Sequence, residues 1–280
     1  MSLGLIVLLL GAAALHAGWN AIVRAAPEQA IEVRLVAVVA ALIAACSLPF
    51  LPLPARAAWP YLAISAAIQV LYFELLGPIY RRAELSYAYP LMRGAAPVVT
   101  GLAGTLIIGE HFGVAGWTGI LLLCGGVLVL GMETARSGAF SWHVTGFGLL
   151  NACAIAGYTI TDGLGIRLSA APWSYAAWLF ALNGVMLLAR GGGLRAARTA
   201  ARLAARWHVI ALCAAFMLIS YSIALWAMTR APVAAVAALR ETSVLFATAF
   251  AALFLNERLG WPRYLAAAMV TAGAAAMRLS

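Results

Sequence analysis

The sequence predicts an all-α integral membrane protein with ten transmembrane helices, built as two five-helix inverted repeats, and three observations lead there. Of its 280 residues 65% are hydrophobic and only 10% charged, whereas about 25% of a soluble globular domain is charged. Too few Asp, Glu and Arg remain to cover a water-facing surface. Cutting the chain at charged residues, Pro and Gly leaves ten apolar stretches, each close to the ~20 residues that a spanning helix requires. The third observation is a duplication: Arg93 and Arg240, Glu110 and Glu257, Gly113 and Gly260, and Gly126 and Gly273 all lie 147 positions apart (240 − 93). Coincidences at one spacing mark a repeated unit. Five spans per unit is an odd number, so the second copy inserts with its topology reversed.

The segments run over 3–23, 33–53, 59–80, 86–108, 113–132, 143–164, 172–190, 207–228, 232–255 and 261–278. The first lacks the basic leader of a secretory signal and is expected to remain as a helix. Helix four carries Pro90-Leu-Met-Arg93-Gly94-Ala-Ala-Pro97, and helix nine its altered copy Ala237-Ala-Leu-Arg240-Glu241-Thr-Ser-Val244. The halves, 1–136 and 137–280, meet near the linker-like Ser137-Gly138. Ala17-Gly18-Trp19 of helix one aligns on Ala156-Gly157-Tyr158 of helix six, and a longer loop before helix eight accounts for the shorter spacing there. In that loop Arg195, Arg198, Arg202 and Arg206 recur every three or four residues. On a helix they form one basic stripe, so a short interfacial helix against lipid headgroups is expected. Most loop arginines follow odd-numbered helices, which by the positive-inside rule places both termini outside.

The formal charge of +9 comes entirely from arginine, with no lysine. Its scatter over loops between apolar helices points to anionic lipid and not to nucleic acid. Cys46, Cys124, Cys153 and Cys213 fall singly in apolar segments, without the spacing of a metal site or disulfide framework, and are read as packing residues. No metal or cofactor is expected.

Charged groups inside the spans are the informative exceptions, because an arginine at a helix centre costs about 2.5–3.5 kcal/mol on insertion scales. Arg93 shares a face with Pro90 and Pro97, two prolines that free backbone carbonyls within the bundle. Arg240 is followed by Glu241. One reading makes these arginines structural, Arg93 pairing with Glu74 and Arg240 with Glu241 or Asp162. The other gives at least one of them to an anionic group of a substrate, since a planar fork of donors suits carboxylate or phosphate. His16, Trp19 and Asn20 share a face of helix one, with His16 either packed or serving substrate contact or proton coupling. Asn151 and Tyr158 on helix six, with Glu74, Tyr89 and Tyr221 on helices three, four and eight, offer further polar edges. Trp59, Trp142, Trp173 and Trp207 lie near helix ends and are assigned to the aromatic belt. Glu110 and Glu257 follow helices four and nine, where a carboxylate caps the next helix or pairs within the loop. Gly101, Gly104, Gly125 and Gly126 allow close helix packing.

Two five-helix halves with Pro97 in helix four, Gly109-Glu110-x-x-Gly113 before helix five and Asn256-Glu257-Arg258-Leu259-Gly260 before helix ten resemble the EamA repeat of the drug/metabolite transporter superfamily over essentially the whole chain. His16-Ala-Gly-Trp19-Asn20 with Tyr89-Pro90-Leu-Met-Arg93-Gly94 further resembles an EamA subgroup, some of whose members are associated with phosphonate use. The resemblance implies a secondary transporter, often an exporter of amino acids or other small metabolites. Its cavity would lie between the halves, lined by His16, Trp19, Glu74, Arg93, Tyr158, Tyr221 and Arg240. One departure is Val244, which stands where the first copy has Pro97. The resemblance also implies cytoplasmic termini, against the arginine distribution.

The expected protein is therefore an inner-membrane carrier, monomer or homodimer, that moves a small anionic or zwitterionic metabolite by alternating access, with Arg93 and Arg240 on the anion and His16 or Glu74 coupling a proton. An intramembrane lipid-modifying enzyme is the rival class, but the sequence has no HExxH, no GxSxG and no paired carboxylates on one helix face. A scaffold without a pathway is the third. Retention of arginine in both copies argues against it.

Overall fold

The computed structural model describes residues 1–82, 85–134, 142–189, 196–255 and 261–278. Among these the secondary structure is helical throughout: α1 (Leu3–Arg24), α2 (Gln29–Ser47), α3 (Trp59–Arg82), α4 (Leu85–Ala103), α5 (Val114–Thr134), α6 (Trp142–Leu168), α7 (Pro172–Ala189), α8 (Ala196–Ala227), α9 (Val233–Arg240), α10 (Ser243–Leu255) and α11 (Trp261–Arg278). Six stretches are long and apolar enough to cross a membrane: Leu3–Arg24, Ile31–Phe50, Leu91–Ile108, Thr145–Leu168, Pro172–Ala189 and Thr199–Ala227. Val114–Val129 and Tyr264–Met277 are shorter apolar helices. In lipid the backbone must satisfy its own polar groups, and helices do so within one segment.

Local chemistry sets several helix ends. Ser2 Oγ accepts the Leu5 amide at the start of α1, which removes one orphan donor of the first turn. α4 continues through Pro97 and ends in a π-helical turn, Gly104–Ile108, closed by left-handed Gly109 (φ 75°, ψ 25°). Without a Cβ, glycine adopts that conformation at little cost.

Three boundaries differ from expectation. α2 begins at Gln29, four residues earlier than the apolar run, because buried Glu32 finds two cationic partners inside the protein and does not end the helix. The described part of the arginine stripe, Arg198 to Arg206, is helical as expected, but it runs into the following span without a loop, the two helical parts of α8 meeting at a kink at Arg206 (φ −133°, ψ 21°); Arg195 lies outside the described residues. Glu32 holds both sides of that bend, 3.0 Å from Arg202 Nε and 2.9 Å from Arg206 Nε. The expected ninth span, 232–255, is two helices, α9 and α10, parted at Glu241 and Thr242. The interruption falls in the copy that lacks the proline. There the Thr242 hydroxyl donates to the Leu239 carbonyl at 2.7 Å, and the Thr242, Val244 and Leu245 amides make i→i−3 bonds. Such local bonds compete with the α-helical ladder.

α1 packs on α8 and α3 on α6; α4 lies against α5, α6 and α9; α2 touches α7 and α8; and α5 runs along α11. The α5–α11 contact is close because its facing residues are small. A Cβ on Gly119 would stand 2.9 Å from the Gly273 carbonyl oxygen, and a Cβ on Gly273 2.9 Å from that of Gly119. The expected small-residue packing also holds at Gly126, where an added Cβ would meet Ala266 O at 3.0 Å. Residues of α9 from Val233 to Leu239 are all buried, so this short helix threads the central core and delivers its C-terminal end to the middle of the bundle.

Candidate functional site

The C-terminal end of α9 presents Arg240 and Glu241 side by side, and the two charges diverge. Glu241 turns to the first half, where its Oε2 lies 2.7 Å from Arg93 Nε on α4. The atoms are at ion-pair distance, although the Nε–H direction does not complete a linear hydrogen bond. Both side chains are almost wholly buried, at 10% and 6% exposure. The expected pairing of Arg240 with Glu241 is thereby corrected, because Arg93 on the opposing helix occupies that carboxylate.

Arg240 lies instead over the aromatic face of Tyr221 on α8, its guanidinium carbon 4.7 Å from the ring centroid, within the range of a cation–π contact. No ion pair joins Arg240 to Asp162 among the described residues. The Tyr221 hydroxyl separates them and donates to Asp162 Oδ2 at 2.8 Å. The Tyr175 hydroxyl on α7 donates to Oδ1 at 3.1 Å, and Ser65 on α3 supplies a third hydroxyl. Asp162 itself is fully buried. Five helices thus place one carboxylate among neutral donors and one partly exposed arginine beside it.

The remaining expected residues divide. His16 is partly buried and stands within the electrostatic reach of both Arg93 and Arg240, with Trp19 edge-on to it at 5.4 Å. Tyr158 is buried, meets Tyr72 edge-on at 6.0 Å, and lies within reach of both arginines. His16, Tyr158, Tyr221, Arg93, Arg240 and Glu241 therefore form one neighbourhood. Trp19 packs into a hydrophobic cluster with Val23, Ile31 and Ile210, so its ring serves the α1–α2–α8 contact. Asn20 donates its amide to the His16 carbonyl on its own helix at 2.8 Å, and fully buried Asn151 reaches the Tyr72 carbonyl on α3 at 3.4 Å. Glu74 and Tyr89 fall on α3 and α4, and their side chains lie outside the described residues, as does Glu257.

A second polar cluster fixes the other end of α9. Both oxygens of Glu110 accept the Val233 amide at 3.0 Å, and Glu110 Oε1 is 2.7 Å from an Arg167 terminal nitrogen. Arg167 also donates to the carbonyls of Met228 and Ala231, at 2.8 and 3.1 Å. Glu110 is a helix cap as expected, but of α9 and not of the helix that follows it; the N-terminal dipole of α9 and its orphan amide attract the carboxylate.

Among the described residues no three of His, Cys, Asp and Glu converge as metal ligands would. An open groove of ≈ 430 Å³ between α2, α7 and α8 is lined by Ile43, Trp173, Leu218, Ile223 and their neighbours, without a charged side chain. Trp173 stacks on Trp226, with Arg230 over the second ring; Trp207 is exposed, whereas Trp59 packs edge-on against Trp178 and the Trp142 side chain lies outside the described residues.

Asp162 is the residue that the sequence reading underused. It is the only aspartate in the chain and sits inside an apolar helix, a signal strong enough to have placed it among the site residues.

A helical membrane bundle with a buried charged centre is the class that fold and site define. Residues 144–279 match the model of the EamA-like transporter family, a match over the second part of the chain that is consistent with a membrane transporter of the drug/metabolite type. No curated protein matches the sequence. A solved structure, titled only as the crystal structure of a protein, superposes with a TM-score of 0.71 over 98% of this chain and 95% of that chain, at 16% identity. At that identity the likeness speaks for the fold alone.

Proposed function

We propose that this protein is a secondary transporter, working as an exporter, for a small anionic or zwitterionic metabolite of the amino-acid or phosphonate type, and that Arg240 receives the anionic group. The observation that carries the reading is the unequal treatment of the two duplicated arginines. Arg93 has Glu241 at ion-pair distance. Arg240, partly exposed, rests on the Tyr221 ring and has no carboxylate at that distance among the described residues. A cation held in an apolar bundle on an aromatic support is prepared for an anion, and a guanidinium fork suits carboxylate and phosphonate alike. His16 and Tyr158 lie within electrostatic reach of the same guanidinium.

Alternating access of two inverted halves is supported by helix partners that occur in exchangeable pairs. α1 on α8 is matched by α6 on α3; α1 on α9 and α10 is matched by α6 on α4; α2 meets its own counterpart α7, and α5 meets α11. Exchangeable pairs of this kind are what two halves related by a pseudo-two-fold axis would make. Because Arg93 and Glu241 belong to opposite halves, their contact lies where the halves would move against each other.

The test is solute flux in proteoliposomes of the purified chain with radiolabelled amino acids, organic acids and aminophosphonates. Saturable flux of one anionic or zwitterionic class, abolished by Arg240→Gln, is expected. Equal flux in folded wild type and Arg240→Gln would refute the assignment of the site.

A further inference from the structure

We infer that Asp162 is a proton-binding site linked to anion binding at Arg240 through the Tyr221 side chain. The inference rests on the transporter reading and adds to it the coupling group. The sequence led to His16 or Glu74 as the coupling group; the Glu74 side chain lies outside the described residues, and Asp162 is the carboxylate that the described residues surround with hydroxyls.

Three features define that arrangement. Asp162 is fully buried inside α6, in a span where an isolated carboxylate is expensive. Its partners are neutral hydroxyls: Tyr221 at 2.8 Å, Tyr175 at 3.1 Å, and Ser65. It has no ion pair among the described residues. A structural carboxylate in such a place is ordinarily matched to a cation, as Glu241 is to Arg93 and Glu32 to Arg202 and Arg206. Asp162 is matched to groups that serve either protonation state. An ionised carboxylate accepts from all three hydroxyls. Once it takes up one proton it becomes a donor itself, and one hydroxyl must turn to accept.

The charged and titratable groups that face Asp162 come from every side. α7 supplies Tyr175, α8 Tyr221 and α9 Arg240, while α3 gives the Ser65 hydroxyl and Tyr158 shares α6. On α4, Arg93 is directed to Glu241.

Tyr221 makes the link physical. Its hydroxyl bonds Asp162, and its ring bears the Arg240 guanidinium at 4.7 Å. An anion on Arg240 neutralises a cation that acts on Asp162, so anion and proton favour each other's binding, and the coupling is reciprocal by linkage. Loaded together they leave the centre with no added charge to carry through the bilayer.

The experiment is infrared difference spectroscopy of the full chain in lipid nanodiscs, taken between mildly acidic and mildly alkaline buffer. No substrate is required. A carboxylic-acid band that converts to carboxylate in wild type and is lost in Asp162→Asn is expected. Absence of any such band in wild type, or its persistence in Asp162→Asn, would overturn the proton site. Arg240→Gln is expected to displace the midpoint of the band, with Arg230→Gln at the exposed end of α8 leaving it in place; an undisplaced midpoint in Arg240→Gln would overturn the link. Should Asp162→Asn not fold, Tyr221→Phe keeps the ring under Arg240, removes one hydroxyl, and must displace the same midpoint. Flux in proteoliposomes fails independently of this result, so loss of the transporter reading and loss of the proton site are separable.

Discussion

Arg93 and Glu241 meet at 2.7 Å across the two halves of the molecule, α4 supplying the cation and the interruption between α9 and α10 the anion. At the sequence spacing of 147 residues it is Arg240, and not Glu241, that corresponds to Arg93. At that spacing Gly94 stands where Glu241 does, so the partner of Arg93 has no charged counterpart.

Removing one partner of a buried ion pair costs up to about 3–5 kcal/mol. Arg93→Met and Glu241→Met should each lower the unfolding midpoint in detergent well below that of the double variant. A double-mutant cycle with additive losses would show that the pair contributes no coupling.

Arg240→Gln removes a cation–π contact worth about 0.5–2 kcal/mol and should alter stability only modestly. Its effect belongs on ligand binding. Wild type should be thermally stabilised by one class of amino acid, organic acid or phosphonate, by about 2.7 kcal/mol at a hundredfold excess over the dissociation constant, and Arg240→Gln should lose that response. A retained response in the variant would move the anion site elsewhere.

Glu110→Ala deprives α9 of its cap and Arg167 of its counter-ion. Loss of a helix cap costs about 0.5–2 kcal/mol. Backbone amides at Val233–Val236 are expected to exchange faster with deuterium, whereas those of α11 are not. Uniform exchange throughout the chain would show that Glu110 acts on global stability alone.

Glu32→Gln releases Arg202 and Arg206 together. The bend at Arg206 should loosen, and trypsin should cleave after Arg202 and Arg206 faster in Glu32→Gln than in wild type. Unchanged cleavage would mean that packing of α8 on α1 and α2 holds the bend without the carboxylate.

Gly119→Ala introduces a Cβ against the Gly273 carbonyl at 2.9 Å and Met277 Cγ at 2.5 Å. Overpacking of this kind costs roughly 1–3 kcal/mol. Gly11→Ala, where the added Cβ meets nothing within 4 Å, should leave the melting temperature unchanged, and equal melting of the two variants would contradict the close α5–α11 approach.

Composition and periodicity determined by themselves that this chain is helical and apolar enough for a membrane, where most of its helices run, and that Arg93, Arg240 and Glu110 stand out. Those properties are local. Twenty apolar residues must bury their backbone polar groups in a helix wherever they are placed, and a charge inside such a run is costly in any surroundings. Tertiary structure alone decided the partners. Glu110 caps a helix 123 residues further along, and Glu32 holds arginines 170 and 174 residues away, because helix packing, and not chain proximity, brings those groups within reach. The same holds at the centre. Arg240 has Glu241 as its neighbour in sequence, yet the carboxylate goes to Arg93 and the guanidinium to Tyr221. Where α9 ends in the core and which helices surround that end set these choices.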